Sequence, residues 1–194
     1  MQKLILPLVA LGLCLGMTGC IQQPYSSPYT SSYSSQPKKM YEEINYVLDT
    51  SKSSYSDKTV DVSITPQKKD DNYKYFTLTV VNKSKNDLKL SWNESYFLEN
   101  DAANGGFMFD GVQYANRDAP KQDLLILPNT TITKDIYPTA KVGYISYNRL
   151  AVNRGLPTGW VHYVLKDGVF GAYLKITGKK YDNNIKVVIG MSSN

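Results

Sequence analysis

From Thr59 to the end of the chain, apolar and polar residues alternate in short runs separated by turn residues. A spacing of two between apolar residues, as at Val60, Val62 and Ile64, is typical of a half-buried β-strand. No long amphipathic helix pattern occurs after residue 50. The predicted strands cover residues 60–65, 75–81, 88–92, 124–127, 130–137, 160–166, 169–177 and 185–189. This number of short strands favours an all-β fold, an antiparallel β-sandwich.

Turn chemistry and spacing predict the ends of these elements. Pro66 is expected to end the first strand, because proline cannot donate a ladder hydrogen bond. Asp167-Gly168 is expected to form a two-residue hairpin turn, since glycine tolerates the positive φ that such a turn needs. Met40, Ile44, Val47 and Leu48 fall at helical spacing and predict one short helix or turn packed on the domain. The serine-rich residues 51–56 are expected to form a loop.

Composition restricts the chemistry available to the chain. Its 194 residues suffice for one domain, or for one domain with a tail. One histidine and two cysteines exclude a histidine metal cluster and a disulfide framework, and no cofactor or metal is expected. The net charge of +5 comes mainly from 19 lysines, against three arginines. These lysines are spread along strand edges and turns, where they oppose aggregation, so nucleic acid is not an expected partner.

The first twenty residues have the features of a secretion signal. Lys3 precedes an apolar run over residues 4–15, which is too short for a permanent membrane span. The run is followed by MTGC at 17–20, which resembles the lipobox of bacterial lipoproteins, although Met17 stands where the family usually has Leu. The resemblance implies cleavage before Cys20 and lipidation of its thiol. The alternative is an ordinary signal peptide with an incidental cysteine.

This resemblance implies a protein anchored to the cell envelope through acyl chains such as palmitate. Each buried methylene contributes about 0.8 kcal/mol to the anchoring. Ile21 follows the cysteine where an inner-membrane retention signal would have Asp, which implies the outer membrane in a Gram-negative host, with the domain beside the periplasm or the cell surface. The predicted organisation is a signal peptide at 1–19, a lipidated flexible tether at 20–39 and a β-sandwich domain at 40–194.

The order of elements over residues 59–140 carries a second resemblance. A strand ending in Val-Val-Asn precedes a polar turn and an alternating strand. After a loop, Leu-Pro-Asn-Thr-Thr introduces another strand, which ends in Tyr-Pro. This order is similar to the immunoglobulin-like domains of small bacterial lipoproteins. The resemblance implies an immunoglobulin-like β-sandwich, and its loose motifs concern the fold rather than the function.

Two groups of residues are candidate sites of chemistry. His162 shares a strand face with Trp160 and Val164, and the chain has no Gly-x-Ser-x-Gly motif, so a structural histidine is expected rather than a catalytic one. Residues 99–106 cluster acids, amides and glycines that could coordinate Ca²⁺, but they lack EF-hand spacing and are also ordinary loop residues. No enzymatic activity is expected.

A stretch rich in tyrosine and arginine is the best candidate for a recognition surface. Residues 138–159 are expected to form long loops at one end of the sandwich. Tyr, Trp and Arg dominate the energetics of protein interfaces. The candidate binding residues are Tyr144, Tyr147, Arg149, Arg154 and Trp160. The alternative is that the tyrosines pack beneath a loop.

The sequence therefore predicts a lipid-anchored envelope protein whose β-sandwich binds a protein partner. It would act as an accessory subunit of an envelope assembly or as an inhibitor. A glycan- or peptidoglycan-binding module is the alternative, and it would need exposed aromatic platforms. A hydrolase that uses only acids is a weaker alternative, and it would need two carboxylates facing each other across a cleft.

Overall fold

The computed structural model of the chain describes residues 46–147 and 159–194. Within these ranges thirteen strands carry nearly all the regular structure, together with two short 3-10 turns at Tyr114–Asn116 and Thr139–Lys141. The strands are β1 (Tyr46–Asp49), β2 (Ser54–Ser56), β3 (Val60–Lys69), β4 (Asn72–Asn82), β5 (Leu88–Glu99), β6 (Ala102–Ala103), β7 (Phe107–Met108), β8 (Leu124–Ile126), β9 (Thr131–Pro138), β10 (Val142–Ile145), β11 (Gly159–His162), β12 (Gly168–Gly178) and β13 (Tyr181–Ser193). No helix in the described part of the chain has the length and hydropathy of a membrane span.

The strands form two main sheets and one separate ribbon. The first sheet has the order β1-β13-β12-β5-β6, with β8 paired to the other end of β5. The second has the order β2-β3-β4-β9-β7, and β10 pairs with β11 alone. Every pairing is antiparallel. The predicted all-β, antiparallel fold is confirmed, and two sheets that share one core are the arrangement of a β-sandwich.

The core lies between the apolar faces of the two sheets. Alternate residues of β3 and β4 are buried, as the spacing of two predicts. Phe97 of the first sheet lies 6.3 Å from Phe76 of the second, and 6.2 Å from Phe170 on β12, measured between ring centroids. Each fully buried Phe or Leu contributes about 2–3 kcal/mol relative to an exposed one. Burial of these side chains holds the two sheets together.

Strand β3 continues past Pro66, contrary to the predicted end. The backbone N–H of Ile64 donates to Ser53 O at 3.0 Å, on the side of β3 where β2 lies. Pro66 is two residues further along, so its nitrogen faces the same side, beyond the β3 residues that pair with β2. No ladder hydrogen bond is lost there, and β3 pairs with β4 as far as Lys69.

The segment before β3 is extended rather than helical. Val47 and Leu48 belong to β1, which pairs with β13 at the edge of the first sheet. Ser54–Ser56 form β2 in place of the predicted loop. Residues 40–45, which complete the predicted helix, lie outside the described residues. A helical spacing over nine residues is a weak signal, because so short a helix is marginal without tertiary support.

The predicted hairpin turn at Asp167-Gly168 is wrong. The strand before it pairs with β10, whereas β12 pairs with β5 and β13, so the two residues connect different sheets. The Asp167 carboxylate instead accepts hydrogen bonds from the backbone N–H and the hydroxyl of Ser193. Two-residue hairpin loops occur at Asp70-Asp71 and Asn100-Asp101, where both residues have positive φ.

Asp57 joins the first strands to β13 through its carboxylate. The carboxylate accepts the backbone N–H groups of Thr59 and Val60 at 2.7 and 2.8 Å. It also accepts the hydroxyls of Tyr55 and Tyr181 at 3.0 and 2.8 Å. Burial alone would raise the pKa of Asp57, but these hydrogen bonds together lower it. The ionised carboxylate therefore connects both sheets.

Replacing Asp57 should destabilise the domain. We expect Asp57→Ala to lower the free energy of unfolding by about 2 kcal/mol at neutral pH, because two backbone N–H groups lose their acceptor. The difference from the wild type should shrink as the pH falls below about 4, since a lowered native pKa stabilises only the ionised form. Urea denaturation measures both effects. The exposed Asp87 provides the control, Asp87→Ala, and equal losses in the two variants would contradict the prediction.

Gly171 lies where β12 and β13 approach too closely for a side chain. An added Cβ would lie 2.1 Å from Val187 O, a backbone atom. We expect Gly171→Ala to cost about 3 kcal/mol, since the longest pairing in the protein must shift. Gly106→Ala is the matched control, because its Cβ would lie 3.9 Å from the nearest atom, Ser95 O. Equal midpoints in urea denaturation would refute this explanation.

Candidate recognition face

The β10–β11 ribbon brings together two of the predicted binding residues. Tyr144 and Trp160 occupy opposite positions in the register of the ribbon. Their rings meet edge to face, with centroids 5.2 Å apart and an interplanar angle of 67°. Cross-strand aromatic pairs of this kind stabilise a two-stranded unit. The pairing explains how residues 16 positions apart in the sequence form one surface.

A distant loop covers part of this pair. Tyr114, in the first 3-10 turn, stacks on Trp160 with centroids 5.4 Å apart and an angle of 14°. The Arg117 guanidinium lies 5.3 Å from the centroid of the Trp160 ring, in cation–π contact. The tryptophan is therefore held on several sides by side chains from the ribbon and from the loop.

Tyr144 and Trp160 share one side of the ribbon and are both exposed. We call this surface the aromatic face, and its exposed members are Tyr144 (60% exposed) and Trp160 (37%). Tyr163 (48% exposed) lies over Gly143 on the other side of the ribbon, and Tyr147 (74% exposed) follows β10. Scattered exposed apolar residues are ordinary, but a contiguous patch with polar edges is typical of a binding surface. Packing of these tyrosines beneath a loop stays an alternative, since residues 148–158 lie outside the described residues.

Tyr163 depends on a glycine for its position. It follows β11, and its backbone N–H donates to Lys141 O at 2.7 Å. The side chain crosses Gly143, where an added Cβ would lie 2.4 Å from the phenol oxygen and 2.7 Å from the ring. Glycine at position 143 thus lets the ring lie flat on the ribbon. The predicted strand over 160–166 is divided here, because Leu165 turns into the core and is fully buried.

His162 links the aromatic face to the second sheet. Its Nε2 is 2.8 Å from the Tyr114 hydroxyl, and its ring lies 4.7 Å from that of Tyr137 on β9. Its Nδ1 is buried and has no hydrogen-bond partner. Burial, and then the positive charges of Lys69 and Lys74, lower the pKa of His162. The expectation of a structural histidine agrees with these contacts, since the imidazole supports Tyr114 beneath Trp160.

The acidic loop at 99–106 holds its carboxylates in ion pairs. Glu99 pairs with Lys141 at 2.5 Å and accepts a hydrogen bond from Asn104 at 2.7 Å. Asp101 pairs with Lys186 at 2.7 Å. Among the described residues, no group of three or more His, Cys, Asp or Glu side chains is placed to hold a metal ion. These acids and amides form ion pairs and hydrogen bonds within the turn and with neighbouring strands.

Two acids also line a groove of about 480 Å³ on the side of the domain where β1 lies. The groove is bordered by Asp49 and Asp101 and by two lysines, Lys52 and Lys186. A hydrogen bond from Ser51 lowers the pKa of Asp49, and one from Lys186 lowers that of Asp101. A glycosidase needs one carboxyl group with a raised pKa as its general acid. The pair therefore gives no support to hydrolysis by acids alone.

Two of the five predicted binding residues, Tyr144 and Trp160, are brought together on the aromatic face, while Tyr147 is exposed beyond the end of β10. Arg149 and Arg154, like Cys20 and the tether, lie outside the described residues. Sequence analysis missed Tyr114 and Arg117, which belong to a loop more than 40 residues before Trp160. A tyrosine and an arginine in an irregular loop carry no periodic signal, so only the tertiary structure identifies them.

Comparisons of the chain with protein-family models, with curated proteins and with solved structures found no match. The interpretation of the aromatic face therefore rests on its own side chains and their contacts.

The lowered pKa of His162 makes the domain less stable in mild acid. Below the ordinary histidine pKa of about 6.5 the unfolded chain takes up a proton that the native imidazole resists, so unfolding becomes easier. The loss is at most about 1.4 kcal/mol for each pH unit, until the native pKa is reached. We expect His162→Gln to flatten this part of the profile. Urea denaturation between about pH 7 and about pH 5 measures it, and parallel profiles would contradict the assignment.

Proposed function

We propose that this chain is a lipid-anchored protein of the cell envelope whose β domain binds a protein partner through the aromatic face. It acts as an accessory subunit of an envelope assembly or as an inhibitor, and it catalyses no reaction. The observation that supports this most is the exposed pair of Tyr144 and Trp160, with Tyr114 and Arg117 packed against the tryptophan. Interfaces are enriched in Tyr, Trp and Arg, and truncation of such residues costs the most binding energy.

The surroundings of Trp160 favour a protein partner over a glycan. A sugar ring stacks on an open aromatic face, whereas Tyr114 stacks on Trp160 and Arg117 lies against its ring. Tyr144 contacts the ring from a third direction. The result is a packed cluster with exposed edges and hydroxyls, which suits the centre of a protein interface. Binding of glycan or peptidoglycan is the alternative, because Tyr144 and Tyr147 are well exposed.

The finer assignment of an immunoglobulin-like sandwich is also part of the proposal. The strand order of such domains is A-B-E-D in one sheet and C-F-G in the other. The second sheet contains β3-β4-β9-β7, which follows the first order, and the first sheet contains β5-β12-β13, which follows the second. The loops between β5 and β9 and between β9 and β12 supply the aromatic face. Immunoglobulin-like domains commonly bind through end loops of this kind.

The proposed anchor explains how a modest interface could suffice. Lipidation of Cys20 would confine the domain near the membrane, and the flexible tether at 20–39 would let it reach neighbouring proteins. Confinement raises the effective concentration of the face for a partner in the same membrane. The mechanism is tethered presentation, in which the lipid supplies proximity and the aromatic face supplies selectivity.

Crosslinking in the native cell, followed by purification and mass spectrometry, tests the proposal with the full-length chain. We expect one dominant envelope protein with the wild type, its loss with Cys20→Ser, and a yield reduced about tenfold with Tyr144→Ala. Leu125→Ala is the matched control, because Leu125 is 56% exposed but belongs to β8, outside the aromatic face.

Two results would overturn this function. Equal yields with Tyr144→Ala and Leu125→Ala would remove the aromatic face from the interaction. Retention of the chain on isolated peptidoglycan, lost with Tyr144→Ala and without any dominant protein partner, would establish the glycan alternative instead.

A further inference from the structure

A cavity lies beside the aromatic face, between β5 and the loop that follows Tyr114. Its volume is about 390 Å³. On β5 it is lined by Trp92, which is only 4% exposed, and by the exposed Tyr96. The loop contributes two basic side chains, Arg117 and Lys121, and one acid, Asp118. Arg117 therefore belongs to both places, since it lines the cavity and also contacts Trp160.

The Asn93 side chain of β5 holds the loop through two hydrogen bonds. Asn93 Nδ2 donates to Lys121 O at 2.9 Å, and Asn93 Oδ1 accepts the Lys121 backbone N–H at 2.8 Å. This paired arrangement holds the backbone of Lys121 as a neighbouring strand would. The basic wall of the cavity is consequently positioned in advance rather than formed by a freely moving loop.

The ammonium of Lys121 is held at this wall without a carboxylate partner. Its Nζ donates to the backbone oxygens of Arg117 and Ala119, at 2.6 and 3.1 Å. Among the described residues no carboxylate forms an ion pair with it. Burial lowers the pKa of Lys121, although the charge of Asp118 opposes the shift. The two hydrogen-bond acceptors are neutral, so only the nearby charge of Asp118 partly offsets the ammonium, and a third N–H remains for another acceptor.

The Arg117 guanidinium also has N–H groups available for a ligand. Its Nε lies 3.4 Å from Asp118 Oδ2, but the Asp118 side chain is 68% exposed, so the pair is weak. A guanidinium carries five N–H donors in a planar fork that matches a carboxylate. Two cations beside one solvated acid give the cavity a positive character, which complements an anionic group.

We propose that the cavity receives the carboxylate of an aspartate or glutamate side chain from the protein partner that docks on the aromatic face. This inference rests on the proposed function and adds the chemistry of the partner to it. The carboxylate would lie between Lys121 and Arg117, and its methylene groups would contact Trp92 and Tyr96. Charged hydrogen bonds in a partly desolvated cavity provide selectivity for an acidic residue at one position of the partner.

The first test addresses the cavity alone, with the full-length chain and a defined probe. Acetyl-glutamate amide is titrated against the protein, and NMR follows the backbone amides of Asn93 and Lys121 and the indole N–H of Trp92. We expect saturable shifts at all three, and about tenfold weaker binding of the uncharged acetyl-glutamine amide. Because the two probes are nearly isosteric and differ only in having a carboxylate or an amide, this comparison needs no altered protein.

A variant pair adds a control for the basic wall. Lys121→Met keeps the length of the side chain and removes its charge, so we expect about tenfold weaker binding of the glutamate probe. Lys85→Met removes an exposed lysine in the turn between β4 and β5, and it should bind like the wild type. Equal responses to the two probes, or no shift with either, would overturn the proposal. Tighter binding of glucuronate than of acetyl-glutamate amide would assign the cavity to acidic sugars instead.

Crosslinking in the native cell distinguishes this inference from the function on which it rests. Loss of the partner with Lys121→Met, as with Tyr144→Ala, would support both. Loss with Tyr144→Ala but full retention with Lys121→Met would overturn the carboxylate site and leave the aromatic face as the interface. Absence of any dominant partner in the wild type would overturn the proposed function, even where the cavity alone binds the glutamate probe.

Discussion

The structure depends on the mutual burial of one apolar face from each sheet. Phe76 on the second sheet and Phe97 and Phe170 on the first illustrate the contact, and burial of such side chains is worth about 2–3 kcal/mol each. The strand pairings, the turns and the Asp57 network keep these faces opposed. Because the two sheets bury their apolar faces against each other, the connecting segments are not needed to cover the core and can form other surfaces.

The aromatic face is built from such connections rather than from the core. The ribbon of β10 and β11 pairs with no other strand among the described residues, so its order depends on side-chain contacts. Tyr114, His162 and Tyr137 form a chain of contacts that runs from Trp160 to the second sheet. These contacts hold the surface in one position, and its exposed tyrosine remains accessible to a partner. That combination of preorganisation and exposure favours binding.

Charged residues are paired differently around the two sheets and beside the aromatic face. Around the sheets several acids form ion pairs with lysines, such as Glu99 with Lys141 and Asp101 with Lys186. In the loop beside the aromatic face, the Lys121 ammonium donates to backbone oxygens and forms no ion pair among the described residues, although Asp118 lies near enough to influence it. A cation without a carboxylate partner is costly to keep partly buried, and a partner that supplied one would recover that cost. The electrostatics and the aromatic residues thus indicate the same side of the domain.

The sequence by itself determined the all-β class and most strand positions, because a spacing of two is a local property of neighbouring residues. It also placed Tyr144 and Trp160 in one candidate surface. Only the tertiary structure decided that Pro66 lies inside a strand, that Asp167 binds Ser193, and that Tyr114 and Arg117 adjoin Trp160. These outcomes depend on which strand edges pair and where loops return to the sheets. Burial of the shared core decides such long-range choices, and no local pattern records them.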